Sequence, residues 1–372
     1  MRILQVVESF GGGVGRHVVD LIVGLVTRGH EVDLVYSSAR MDKTTIEGLA
    51  LLQRKGVATF ELPMQRSPGL QDFAMVRELK DYIRKHGPFD IVHGQSSKGG
   101  ALARLGGRHY PAAIVYTPHA ISTMNPRIGA RQRALWGTIE RNLAKRSDAI
   151  IAVSPEEERH LIELGIPAGK VRTIINGVEL PDSAPEWMNH KVVGFVGRLE
   201  FQKHPENLIE AFARNADKYP DWRLCMVGYG PLEDSCRALA QSQGIGERVD
   251  WLGNQPGGPA MAQFGIFCMP SRYEAMPYVL LEALAAGCPI ISTNCGGARV
   301  AIQPEANGLI VPIEHPVELA MALDRLMGDE SLRQQMAAES WRRAQEFTVD
   351  SMVAQTLKAY EDVSDGKRLR GR

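Results

Sequence analysis

Short, nearly continuous apolar runs alternate with longer amphipathic segments along this chain, and the alternation breaks once and then begins again. Arg2 to Glu8 reads as a strand, Val14 to Arg28 as a helix with Val18, Leu21, Ile22 and Leu25 at helical spacing, and Glu31 to Tyr36 as the next strand. Asp90 to His93, Ala113 to Thr117 and Asp148 to Val153 continue the pattern. Strands separated by helices form right-handed βαβ units, and parallel sheets made this way are covered on both faces. From Val178 to Asn189 the pattern gives way to Pro, Asp, Ser and Asn, and it resumes with strands expected at Lys191 to Gly197, Arg223 to Val227, Val249 to Leu252, Ile266 to Met269, Ile290 to Thr293 and Leu309 to Val311. The expectation is an α/β protein of two Rossmann-like, doubly wound parallel-sheet domains facing each other across a cleft, residues 1–180 and 191–347, with a linker at 181–190. Two domains also suit a length of 372 residues.

Basic and acidic residues balance at 43 each, yet residues 1–180 hold 24 basic and 18 acidic ones, leaving the opposite excess in the remainder. A nucleic-acid binder would carry an uncancelled basic excess, so no nucleic-acid partner is expected. All five cysteines fall in the second half with no C-x-x-C pair, which suits buried reduced thiols. The chain opens directly into a strand, MRILQVVE, and no run approaches the roughly 18 apolar residues of a membrane span. A cytoplasmic protein, at most peripheral on the inner face of a membrane, is expected.

The segment PSRYEAMPYVLLEALAAGCPIISTNCGG, Pro270 to Gly297, sets Glu274 and Glu282 eight positions apart around a helix start. Pro277 suits the first helical position, because the missing N–H has no intrahelical partner there. The helix N-terminus beyond it offers a partial positive charge to a diphosphate. One acid stands in the loop and the other within the helix, so the pair can meet a nucleotide and a sugar at two points.

Further constellations sit where strands hand over to loops. Gly11-Gly12-Gly13-Val14-Gly15 lets backbone approach a phosphate, or merely turns tightly; it is not G-x-G-x-x-G, because Arg16 and Val18 occupy the places of the glycines. Arg198, in Gly197-Arg198-Leu199, supplies a planar fork and Lys203 a point charge, which match two phosphates. Gly228-Tyr229-Gly230-Pro231 is another close-approach turn. His93 and His119 each stand just past an apolar strand; His93 is as readily structural as functional, whereas His119, before a polar loop, faces the cleft. No His or Cys spacing fits a metal site, so metal-independent chemistry without a cofactor is expected. Arg127 to Arg146 carries six basic residues against one Glu, with apolar residues able to share a side. It is either a surface helix packed on the sheet or a contact for anionic lipid.

Together these residues resemble the retaining glycosyltransferases of the GT-B fold, the large E-x7-E family of group 1 and family 4-like enzymes, over nearly the whole chain. The E-x7-E segment carries most of the likeness; GGGVG, His119, GRL with Lys203, and GYGP support it, and SSKGG and YTPHA are similar to bacterial surface and exopolysaccharide enzymes. The resemblance implies an acceptor-binding first domain and a nucleotide-sugar-binding second domain; residues 348–372 are expected to form a C-terminal helix crossing back to the first domain, read as Val349 to Val363, plus a basic tail, SDGKRLRGR, read as a disordered solubilising end. Arg198 and Lys203 would hold the donor diphosphate, Glu282 the ribose, and Glu274 with the amides of Ala275, Met276, Pro277 and Tyr278 the region of the donor sugar. Gly12, Gly13 and Gly230 would approach the donor, the base would rest near Val249 and Leu252, Gly13, His93 and His119 would serve the acceptor side, and His119 would also sit by the donor sugar and its phosphate. Two departures, Val300 and Gly265 in places where relatives often have acids, bear on base or sugar preference rather than on the diphosphate. The implied activity is sugar transfer from a UDP- or GDP-sugar to a hydroxyl of a glycolipid, polyprenyl-linked or saccharide acceptor in surface polysaccharide synthesis. A catalytically silent sugar-binding or scaffold subunit and a nucleotide-sugar epimerase are the alternatives.

Overall fold

The computed structural model describes residues 1–65, 67 and 69–370 of the chain. They form two compact units: the first runs from Met1 to Gly177 and takes back the chain from Val349 onward, and the second is Val178–Thr348. Residues 179–191 form no helix or strand.

The first unit holds a sheet of seven strands: β1 (Arg2–Val7), β2 (Glu31–Tyr36), β3 (Ala58–Glu61), β4 (Ile91–Gln95), β5 (Ala113–Thr117), β6 (Ala149–Ala152) and β7 (Val171–Thr173). They lie in the order β3-β2-β1-β4-β5-β6-β7, all parallel. The second unit holds β8 (Val192–Val196), β9 (Arg223–Val227), β10 (Val249–Gly253), β11 (Ile266–Met269), β12 (Ile290–Thr293) and β13 (Gly308–Val311). Their order is β10-β9-β8-β11-β12-β13, again all parallel. The strand order reverses beside β1 in one sheet and beside β8 in the other, and in open α/β sheets ligands bind at this point, outside the strands' carboxyl ends.

Successive side chains of a strand point to opposite faces, and in β1 this sends Ile3, Gln5 and Val7 one way and Leu4 and Val6 the other. Ile3 and Val7 pack with Val18, Leu21, Ile22 and Leu25 of the helix Gly12–Thr27, all fully buried. Leu4 and Val6 pack with Leu79 and Ile83 of the helix Gln71–His86 and Leu102 of the helix Ser96–Gly106. The second unit's core gathers Phe195, Leu224, Ile266 and Ile291 with Leu208, Phe212, Leu319 and Leu323 from flanking helices.

Two strands, β3 and β7, escape the sequence reading because both are short and lie at the sheet's edges, where β3 is largely exposed and shows no apolar run. Pro277 stands one residue before the helix Tyr278–Ala285 rather than at its first position. The tail corrects a larger expectation. The last helix runs Val349–Arg370, so the basic segment is not a disordered end through Arg370; Gly371 and Arg372 lie outside the described residues. The helix is held because Met352, Val353, Ala359 and Tyr360 are buried in the first unit's core. Lys367 adds an ion pair to Asp148 at 3.2 Å and a hydrogen bond to the Ala112 carbonyl. All five cysteines are free and buried, and burial pushes the thiols of Cys225 and Cys288 up to about 11 and about 12. No helix among the described residues is long and apolar enough to cross a membrane.

Candidate functional site

In the second unit the loops after β8 and β11 flank the reversal point and are bound to each other. Lys203 Nζ lies 2.6 Å from Glu274 Oε1, with the two side chains 16% and 7% exposed. Gln202 Nε2 donates to the other Glu274 oxygen at 3.2 Å and to the Tyr273 carbonyl at 3.1 Å. The Arg272 amide donates to the Gln202 carbonyl at 2.8 Å, and its guanidinium bonds the Phe201 carbonyl and stacks over the Phe201 ring. Arg198 leaves this knot and stays exposed, 3.5 Å from Glu200. The loop after β8 thus carries a fixed ammonium held by a carboxylate and, earlier in the same loop, a solvent-facing guanidinium, and either cation suits an oxyanion.

Glycines let the loops close on each other. Gly228 has φ +129°, and a Cβ there would lie 1.9 Å from the Gly197 carbonyl oxygen; at Gly230 it would lie 2.3 Å from that of Leu199. The Gly297 amide donates to the Ala275 carbonyl at 2.6 Å, and a side chain at Gly296 would strike the Glu274 carbonyl, so this pair seats the Glu274 turn. Ala275, Met276, Pro277 and Tyr278 are all buried, while Glu282 is half-buried beside Gly257. Leu252 is 38% exposed near the carboxyl end of β10, but Val249 starts that strand and is buried in the core, so its side chain is not placed with the loops. Gly265 needs to be small: a Cβ would meet the His190 carbonyl oxygen at 1.9 Å.

In the first unit, His119 follows β5 in a left-handed conformation, φ 55°, as does Ala120, φ 72°. Non-glycine residues adopt that region only when something holds them. Glu157 does so: fully buried, it accepts the amides of Ala120 at 2.8 Å and Ile121 at 3.1 Å with one oxygen and that of Val153 at 3.0 Å with the other. The His119 ring stands edge-on to His17, centroids 4.6 Å apart, and Nε2 lies 2.7 Å from Gln95 Oε1. Burial first, then the neighbouring His17 and His93, holds His119 well below the usual histidine range, so the ring is neutral. Burial likewise lowers His17 to about 4, against a bond to Asn176.

His93 is wholly buried, with Nδ1 2.6 Å from the Tyr360 hydroxyl and Nε2 2.8 Å from Thr117 Oγ1, a geometry that supports its structural reading. The Gly12 amide is engaged too, donating to Asp42 at 2.7 Å; Gly12 and Gly13 are exposed. Asp42 also caps the helix Lys43–Arg54 through the Thr45 amide. Burial alone would raise the Asp42 carboxyl, but the bonds from Gly12 and Thr45 together outweigh it and keep the group below its usual range. Sequence reasoning missed Gln202 and Arg272 in the second unit and Asp42, Glu157, His17 and Gln95 in the first. Asp42 and Glu157 look from sequence like ordinary helix-capping acids. His17 and Gln95 carry a readable signal, a polar residue on an apolar face, but nothing in the sequence says what they meet.

Residues 179–343 match the family Glycosyl transferases group 1, and residues 11–181 match Glycosyltransferase Family 4. The chain belongs to the group 1 glycosyltransferases. Over 397 residues it is 28% identical to a D-inositol 3-phosphate glycosyltransferase of Kribbella flavida, covering 95% of this chain and 91% of that one. Among solved structures, this glycosyltransferase is similar in fold to Anabaena HepE in complex with UDP-glucose, with a TM-score of 0.79, 20% identity and coverage of 97% and 100% of the two chains. It is also similar to the sucrose-phosphate synthase of Thermosynechococcus elongatus, with a TM-score of 0.81, 21% identity and coverage of 98% and 100%. The two parallel sheets are those of the GT-B fold.

The Lys203–Glu274 contact predicts a double-mutant cycle. Lys203→Met leaves a buried carboxylate without its cation and is expected to destabilise the second unit by about 3 kcal/mol in urea denaturation, whereas Lys203→Met with Glu274→Gln recovers most of the loss. A single-variant cost below about 1 kcal/mol would show that the pair is effectively solvated.

Proposed function

We propose that this glycosyltransferase moves a hexose from a UDP- or GDP-sugar to a hydroxyl of a glycolipid, polyprenyl-linked or saccharide acceptor, with retention of configuration, in cell-surface polysaccharide synthesis at the cytoplasmic side of the membrane. The observation that carries this reading is the loop pair after β8 and β11, with Lys203 locked to Glu274 and Arg198 exposed in the loop that carries Lys203. Binding of UDP and UDP-glucose by the Anabaena relative supports a nucleoside-diphosphate donor.

In the reaction, the bond between the sugar's anomeric carbon and the β-phosphate oxygen breaks, and negative charge grows on the departing diphosphate. Arg198 and Lys203 are oriented for that charge before it forms, which is how preorganised cations lower a barrier. They take the part that a metal ion plays elsewhere, so no metal is required. Glu274 competes with the diphosphate for Lys203, and in doing so holds the ammonium in place while its free lone pairs accept sugar hydroxyls. Glu282 accepts from the ribose, and Leu252 lies against the base. The acceptor hydroxyl attacks from the face the diphosphate leaves, its proton passing to a phosphate oxygen. His119, neutral, accepts a hydrogen bond from a sugar hydroxyl without adding charge.

Lys203→Ala and Glu274→Ala are each expected to lower turnover roughly 100-fold or more, as loss of a preorganised charge does at a leaving group, and EDTA is expected to leave wild-type turnover unchanged. Near-normal turnover in both variants would sink the assignment. Nucleotide binding without transfer to any acceptor would favour the silent-subunit alternative, and isomerised donor without acceptor consumption would favour the epimerase.

A peripheral membrane contact is part of the proposal. The helix Ala130–Ala144 buries Gly137, Glu140 and Ala144, and Glu140 is tied to the fully buried Arg104 at 2.8 Å. Leu135 and Ile139 are therefore left 57% and 36% exposed among exposed Arg131, Arg133 and Arg141. Apolar side chains beside cations suit an anionic lipid surface. Neutralising the three arginines to glutamine is expected to weaken cosedimentation with anionic vesicles roughly 100-fold, at about 1 kcal/mol per charge; undiminished binding would count against the contact.

A further inference from the structure

The alternation of side chains along the central strands places polar groups inside the first unit's core. Gln5 on β1, His93 and Gln95 on β4, and Thr117 on β5 share the face that packs against the last helix, because each is an even number of residues from an apolar residue of that face's core: Ile3, Ile91 and Val115. They are 0% exposed, and they are joined to one another rather than to solvent. Tyr360, from the helix Val349–Arg370, inserts its hydroxyl among them.

The bonds have a consistent direction. Gln5 Nε2 donates to the Tyr360 hydroxyl at 3.0 Å, and that hydroxyl donates to His93 Nδ1 at 2.6 Å. His93 Nε2 then carries its proton and donates to Thr117 Oγ1 at 2.8 Å. Gln95 Nε2 donates to Gln5 Oε1 at 2.9 Å and faces His93 Nδ1 at 3.2 Å. With its amide nitrogen spent there, Gln95 can turn only its carbonyl oxygen toward His119, 2.7 Å from Nε2. An oxygen with no hydrogen accepts, so the His119 proton sits on Nε2 and the lone pair on Nδ1.

We propose that Gln95 is a positioning residue for His119: it fixes the ring's orientation and places the proton on Nε2, and its own amide is held the right way round by Gln5, His93 and Tyr360 of the last helix. The role does not require Gln95 to touch any ligand. It explains why a chain of polar groups is retained in a core where apolar residues would pack as well, and it makes the return of the last helix a condition of the site's geometry as well as of stability. Glu157 fixes the backbone on which the ring is mounted, and Gln95 fixes the ring. The proposal rests on the reading that His119 meets the donor sugar.

The test uses the full chain labelled with 15N, Gln95→Met and Tyr360→Phe variants, and His119→Ala as a reference. Side-chain nitrogen correlations are expected to show His119 as the Nε2–H form in the wild type and as a mixture of both neutral forms in Gln95→Met. In the same variant kcat is expected to fall roughly tenfold, the scale of one lost hydrogen bond, with the donor KM little changed. Tyr360→Phe keeps the packed ring and removes the hydroxyl, so a smaller fall in kcat with the same tautomer mixing is expected. An unchanged tautomer and unchanged kcat in Gln95→Met overturn the proposal, and if that variant does not fold, the same result in Tyr360→Phe overturns it. A merely structural role would lower the melting temperature while leaving kcat and tautomer at 25 °C as they were, which also overturns it. Normal turnover in His119→Ala would instead remove the reading on which the proposal rests, while the tautomer measurement would still report whether Gln95 orients the ring.

Discussion

A parallel strand cannot turn straight back into its neighbour, because the chain must first return to the other end of the sheet through a crossover. In this protein the constraint operates twice, once in each sheet. Each crossover helix covers a face of its sheet, so the strands are buried on both sides and read as near-continuous apolar runs. All strands of a sheet then end on one side, and the loops there carry the polar groups of the site. In the second unit those loops join Lys203 to Glu274, residues 71 apart in sequence, and leave Arg198 exposed in the loop that carries Lys203. In the first, the carboxyl ends of the strands bring His119 and Gln95 together, and the helix after β1 adds His17.

Within this frame the buried polar groups satisfy one another. A charge held out of water is costly unless it is paired and hydrogen-bonded, and Glu274 meets that demand with Lys203 and Gln202, as Glu157 does with three backbone amides. The same bonds that make these groups tolerable fix their positions. Preorganisation of this kind is what a site needs when it must meet charge that develops only during reaction.

Most of the fold was legible. Strands such as Glu31–Tyr36, Ala113–Thr117 and Ile266–Met269 fall where the apolar runs placed them, since burial on both faces leaves a strong signal. Edge strands left almost none: Ala58–Glu61 is largely solvated and has no apolar run. The course of the last helix beyond Val363 was hidden for a different reason. The segment SDGKRLR is polar and by itself reads as a solvated tail. What holds it is tertiary, the bond from Lys367 to the carbonyl of Ala112, 255 residues away in sequence, and the ion pair to Asp148. In the candidate site, the cations and acids were legible because Arg, Lys and Glu after strand ends are chemically specific. Their mutual engagement was not: no spacing in the sequence reveals that Glu274 grips Lys203, that Asp42 takes the Gly12 amide, or that Gln95 faces His119. Those are contacts between separate segments, set by the sheets that carry them.

The proposed role of the loops after β8 and β11 is to hold a nucleoside diphosphate through Arg198 and Lys203. Thermal denaturation with UDP, GDP and their sugar conjugates bears on it without any need to know the acceptor, because a ligand bound only by the folded chain stabilises it by about 2.7 kcal/mol at one hundred times its dissociation constant. Saturable stabilisation by one nucleotide class, abolished by Arg198→Ala combined with Lys203→Ala, is the expected result. Stabilisation by none of them, or stabilisation that survives the double substitution, is incompatible with that role.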